Sequence, residues 1–102
     1  MSFESLHQKV VEWGKERGLY TESDITSQYM KLDEEFDELW QAIAQSNMPE
    51  TIDAIGDMMV VLTGMAQMAG TNLLACYEAA YHEIKDRKGK MIDGMFVKEE
   101  TL

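Results

Sequence analysis

Apolar positions recur along most of this chain at intervals of three and four, the spacing that lines one side of an α-helix. Leu6, Val10 and Trp13, with Val11 beside them, predict a first helix from about Ser5 to Arg17, which Gly18 ends. Ser23 or Asp24 then caps a second helix whose apolar residues are Ile25, Tyr29, Leu32, Phe36, Leu39 and Ile43. Their steps alternate four and three, which predicts a helix packed lengthwise on a neighbour. "SNMPE" interrupts the pattern, and Pro49 suits the first turn of the next helix.

The third helix, from about Glu50 to Ala69, is apolar nearly all round in "IGDMMVVLTGMAQMA", which predicts that it is buried. Gly70 closes it, and Thr71 or Asn72 opens a fourth carrying Leu74, Tyr77, Tyr81 and Ile84 and ended by Gly89. In the tail, Asp93-Gly94 between short apolar runs signals a hairpin. Such a hairpin is too small to be stable alone and is expected to pack on the body or on another subunit. The expected fold is all-α. It is a single domain over residues 1–102, a four-helix bundle with helices two and three antiparallel and a short C-terminal tail or hairpin.

The chain has 102 residues, so a monomer buries only about two-thirds of its unfolded surface and self-association is an easy way to add core. Nine methionines suit a soft, adaptable core. The net charge of −10 argues against binding to nucleic acid or to an anionic membrane, where a basic face supplies the affinity. Charge is also unevenly placed. Residues 22–57 hold ten acids and one base, Lys31, whereas "KDRKGK" at 85–90 holds four bases and one acid. Cys76 is the single cysteine, which excludes an internal disulfide and a cysteine-based zinc site. With no apolar leader and no run long enough to span a bilayer, the expectation is a reduced, cytoplasmic, soluble protein.

The candidate chemistry starts at "LDEEFDELW", residues 32–40, which crowds five acids into two helical turns. At about 100° per residue, Glu34 points away from the apolar stripe, whereas Glu35 and Glu38 fall together on its flank with Lys31 between them. Asp33, Glu34 and Asp37 suit a solvated face. Carboxylates at the edge of a packing seam are partly desolvated, which is costly without compensation. On the third helix Asp53 and Asp57 stand one turn apart on the side that Val60, Val61, Gly64 and Met68 continue. Asp53 lies in the first turn, where the helix dipole alone favours an acid; Asp57 is too deep for that. A hard divalent cation is the simplest compensation, and oxygen-only ligation favours Mg²⁺, with Mn²⁺ possible, over zinc.

Together "EEFDEL" as an EExxE motif, "IDAIGDMMVVL" as a second acidic helix and the tail "YHEIKDRKGKMIDGMFVKE" resemble the MazG-like nucleotide pyrophosphohydrolases of short phage and mobile-element type. The resemblance runs over about residues 10–99. It implies Mg²⁺-dependent hydrolysis of nucleoside triphosphates to monophosphate and pyrophosphate, a nucleotide-pool house-cleaning role, and assembly as a dimer of dimers. Metal ligands are then Glu35, Glu38, Asp57 and Asp53, with Glu34, Glu35 and Glu38 as the catalytic acids. The family's second motif is ExxD, but Ala54 stands three before Asp57, so Asp53 is the candidate substitute and Glu50 a more remote one. Lys85, Arg87 and Lys88 are candidates to neutralise the far end of the polyphosphate, against the plain reading that bases near a helix C-terminus are dipole partners. Lys31 is an ion-pair partner of Glu35 or a phosphate ligand. Trp13 is a candidate for stacking on the base, as is Trp40, though tryptophan at helical spacing more often serves the core. His7 and His82 suit packing or surface roles. Two other classes fit the same residues: a non-catalytic helical interaction module, and a nucleotide binder without turnover.

Overall fold

The computed structural model describes residues 1–102. It contains α1 (Phe3–Glu16), α2 (Leu19–Glu22), α3 (Ile25–Ala44), α4 (Met48–Met68), α5 (Leu73–Ile84), strands β1 (Gly89–Ile92) and β2 (Met95–Lys98), and a closing 3₁₀ turn (Glu99–Thr101). With 73% of residues helical, the fold is all-α as expected. Each main helix begins at a side-chain cap that accepts a backbone N–H of its first turn: Ser2 from Ser5, Asp24 from Ser27, Asn47 from Glu50 and Asn72 from Ala75. Pro49 sits in the first turn of α4, where its missing N–H costs nothing.

Only three residues join α3 to α4, and these two helices make the most extensive packing in the chain, an antiparallel helical hairpin. Ala42 on α3 and Ala54 on α4 are buried and keep the pair close. After Gly70, in the left-handed region at φ 82°, α5 turns away from α4 by 96°. No single helix is long and apolar enough to cross a membrane; α4 and α5 taken together pass by length and composition, across that bend.

The short helix α2 is one departure from the sequence reading, which placed no helix between Gly18 and the cap at Ser23 or Asp24. Gly18, at φ 71°, reverses the chain and Leu19 and Tyr20 fold back under it. The Tyr20 ring lies across Gly14 of α1, where a Cβ would overlap it, and against Gly64 of α4. The last main helix is also shorter than expected, ending at Ile84 with Lys85 as its cap rather than running to Gly89.

Two further corrections concern which surfaces are covered. The α3 residues turned to the chain's own core are Gln28, Leu32, Glu35, Leu39 and Ala42, while Tyr29, Phe36, Trp40 and Ile43 stay exposed. The apolar stripe is thus split: its outer part is rotated by roughly 80° from the packed face, at 100° per residue. On α4, Met48, Ile52 and Ile55 are likewise exposed, so this helix is not buried all round within one chain.

The tail forms the hairpin its Asp-Gly signal predicted, with Asp93 (φ 51°) and Gly94 (φ 82°) in the turn and Met91 opposite Phe96. The accessible surface is 7721 Å², against about 5,900 Å² for a compact monomer of this mass. The radius of gyration of 16.2 Å likewise exceeds the roughly 13 Å of a compact domain this long.

Candidate functional site

A cleft of about 700 Å³ opens where α1, α3 and α4 meet over α2. Helical spacing supplies its walls. From α1 come Lys9, Val10 and Trp13; from α3, Gln28, Lys31 and Glu35, at i, i+3 and i+7; from α4, Asp57, Val60 and Val61, at i, i+3 and i+4. Leu19 of α2 adds an apolar patch.

Glu35 is the buried acid of this site, only 6% exposed. Its Oε1 lies 3.3 Å from Lys31 Nζ, and its buried Oε2 has no hydrogen-bond donor. Lys31 also reaches Glu34, at 3.6 Å, so it serves the two neighbouring acids as an ion-pair partner while still lining the cleft. Hydrogen bonding to Glu35, and then the charge of Glu34, hold the Lys31 ammonium above its ordinary range.

The other acids respond to this crowding. Glu38, exposed one turn on, is held above the usual carboxylate range first by hydrogen bonding to the Glu35 carboxyl and then by its charge. Asp57 is raised chiefly by burial, then by the charges of Asp53 and Glu35. Glu35, Glu38, Asp53 and Asp57 therefore form one electrostatic group across the α3–α4 seam. As the side chains lie, no three of them are drawn tightly around one point.

Ala54 is buried in the seam, so the position three before Asp57 serves packing and the neighbouring carboxylate belongs to Asp53. Glu34 is exposed, and Glu50 stands in the first turn of α4, its N–H taken by the Asn47 cap. Trp13 borders the cleft and carries the Arg17 guanidinium 4.5 Å from its ring centroid, whereas Trp40 is exposed elsewhere. Within a single chain Lys85, Arg87 and Lys88 do not line the cleft. They follow the end of α5, which turns away from α4, and Arg87 pairs with Glu83 at 3.5 Å. His82 pairs with Glu78 at 3.5 Å.

Lys9, Leu19 and Gln28 were not singled out from the sequence. Two of them carried a usable signal: Lys9 lies four before Trp13, and Gln28 seven before Glu35, each on the same helical face. Leu19 carried none, because its place depends on the fold-back of α2. Gln28 is held in position, its Nε2 donating to Ser23 Oγ at 3.1 Å.

A family model described as phosphoribosyl-ATP pyrophosphohydrolase matches residues 4–88, most of the chain and, but for Phe3, all five α-helices. A curated relative from Haemophilus phage HP1, an uncharacterized 18.2 kDa protein of the rep-hol intergenic region, is 37% identical over 65 residues. That match covers 63% of this chain but 39% of the relative, so the chain spans well under half of its length. No solved structure matches the chain.

Proposed function

We propose, from the premise that this chain belongs to the phosphoribosyl-ATP pyrophosphohydrolase family, that it hydrolyses a nucleoside triphosphate to a monophosphate and pyrophosphate in the α1–α3–α4 cleft. In this reading it is a MazG-like member that works on free, canonical or damaged nucleotides as a house-cleaning enzyme and assembles as a dimer of dimers. The observation that carries it is Glu35: a buried carboxylate with one oxygen unsatisfied, at the border of a cleft that also holds Lys31, Asp57 and Trp13. A chain whose acids served only solubility would keep them in water, since a carboxylate oxygen without a partner is expensive to bury.

The donor chemistry of the seam suits a divalent cation, which would have to draw its carboxylates together. The seam offers oxygen donors, it leaves Glu35 Oε2 free, and the crowding of charge that raises Glu38 and Asp57 is what a cation would relieve. Glu35, Glu38 and Asp57 would hold Mg²⁺ (or Mn²⁺), with Asp53 in place of the ligand missing at Ala54. A metal held there would supply charge against the phosphate oxygens and a more acidic water.

The remaining work belongs to the side chains. Val10, Val60, Val61 and Leu19 give the nucleoside an apolar bed, and the Trp13 ring gives it a stacking surface. Lys31 and Lys9 flank the cleft as cations for the phosphates. Glu34, exposed beside Lys31, would accept a proton from water, with Glu35 and Glu38 as the neighbouring carboxylates that share that role. Lys85, Arg87 and Lys88 reach a polyphosphate only if another copy brings them there.

A second substrate is favoured by the family match itself, namely phosphoribosyl-ATP. The test is a panel of ribo- and deoxyribonucleoside triphosphates and phosphoribosyl-ATP with Mg²⁺, with products separated by chromatography. Pyrophosphate and a monophosphate from one or more triphosphates is the expected result. Turnover of phosphoribosyl-ATP alone would replace the substrate, and no turnover of any would overturn the reading.

A further inference from the structure

The hairpin β1–β2 packs on none of the helices of its own chain to any appreciable extent, and seven of its eight strand residues are exposed. Met91 and Phe96 form a cross-strand pair on one face, and Ile92 and Met95 form one on the other. All four are exposed. A two-stranded hairpin with both apolar faces in water is at best marginal, so it needs a cover. It also lies just beyond the region that the family model matches, which ends at residue 88.

We propose that the hairpin is an arm that docks on the outer face of α3 in a second copy of this chain. The inference rests on the self-association proposed for this family member and goes beyond it in naming the two surfaces. By two-fold symmetry each copy gives an arm and receives one.

Charge is the first argument for this partner. Residues 85–98 hold five bases and two acids in a chain whose net charge is −10. The outer stripe of α3, with Tyr29, Phe36 and Ile43, is bordered by Asp33 and Asp37, and neither acid has an ion-pair partner within the chain. Lys90 and Lys98 on the arm have none either. Each surface thus carries apolar groups edged by the charge the other lacks.

Area is the second argument. One chain exposes about 1,800 Å² beyond a compact monomer of its mass. That falls within the roughly 1,000–2,500 Å² that each partner of an obligate homodimer hides.

The test is mass by multi-angle light scattering at micromolar concentration, with helix content followed by circular dichroism. Wild-type protein is expected to be associated, and Met91→Asp/Phe96→Asp to weaken association by about a hundredfold with helix content unchanged. Lys90→Glu/Lys98→Glu and Asp33→Lys/Asp37→Lys are each expected to weaken association by about tenfold. Mixed, these two charge variants are expected to recover wild-type association, because every arm then meets an α3 face of opposite sign. A monomeric wild type would overturn both the association and the arm. An associated wild type with fully associated arm variants would overturn the arm alone. Dissociation by the arm variants without recovery in the mixture would overturn α3 as its seat. None of these readouts depends on turnover, so the proposed activity stands or falls separately.

Discussion

Glu35→Gln exchanges one buried oxygen for an amide and removes one charge from the acidic seam. In the wild-type chain without metal, the unsatisfied Oε2 costs about 1–3 kcal/mol. The ion pair with Lys31, whose side chain is about half exposed, returns less than about 1 kcal/mol. The difference favours the variant, by about 1 kcal/mol once the imperfect fit of the amide is allowed for, so its melting temperature without metal is expected to rise by about 4–8 °C. With Mg²⁺ the order reverses. Wild-type protein gains stability as the logarithm of Mg²⁺ concentration once this exceeds the dissociation constant, and the variant, short of a central ligand, gains little. The assay is a melting series from zero to tens of millimolar Mg²⁺, with pyrophosphate release measured on the same samples. The two melting curves should cross, and turnover of the variant should fall by orders of magnitude. The reasoning is refuted if the metal-free variant loses more than about 2 kcal/mol, or if Mg²⁺ stabilises both proteins equally.

α4 begins at Met48, which puts Asp53 in its second turn rather than in the first turn expected from the sequence; in Asp53→Asn turnover should drop nearly as far as in Asp57→Asn, whereas a dipole partner alone would cost at most about 1 kcal/mol and leave turnover intact. The two helical glycines should respond with opposite sign. Gly14→Ala drives a methyl into the Tyr20 ring and should lose about 1–2 kcal/mol net, while Gly56→Ala meets nothing and should gain up to about 1 kcal/mol, both read by chemical denaturation. The raised carboxyls of Glu38 and Asp57 stabilise the metal-free fold below their ordinary values of 4.5 and 3.8, and this contribution is lost as pH rises through the raised values. Compared with Glu38→Gln, wild-type protein should therefore lose stability over that rise, and its Mg²⁺ affinity should climb over the same range; parallel stability profiles would count against the raised Glu38 carboxyl.

Much of the fold was legible because the helical segments are separated by strong stop signals, Gly18, "SNMP" and Gly70, and because Asp93-Gly94 marks the hairpin. The acidic seam was legible for a different reason. Glu35 and Asp57 each sit at an angle on their helices where a carboxylate cannot be fully solvated, and periodicity alone reveals that. The wheel could not tell which part of the α3 stripe faces inward. Tyr29, Phe36 and Ile43 were as apolar as Leu32 and Leu39, and the choice between them is made by Ala42 and Ala54, small residues that let α4 approach on one flank. Leu19 and Tyr20 were illegible because their fold-back depends on two glycines, Gly14 and Gly64, that are 50 residues apart.

The three-residue link between α3 and α4 also sets a time order. Closing so short a connection removes little chain entropy, and contacts that are local in sequence form on the microsecond-to-millisecond scale. The acidic seam is therefore born early, within a single chain, before any neighbour is met. If the arm docks as proposed, lasting burial of β1–β2 waits for a bimolecular encounter, whose rate falls with dilution. A freshly made chain at low abundance thus passes through an interval in which its seam is formed and its apolar strands are still bare.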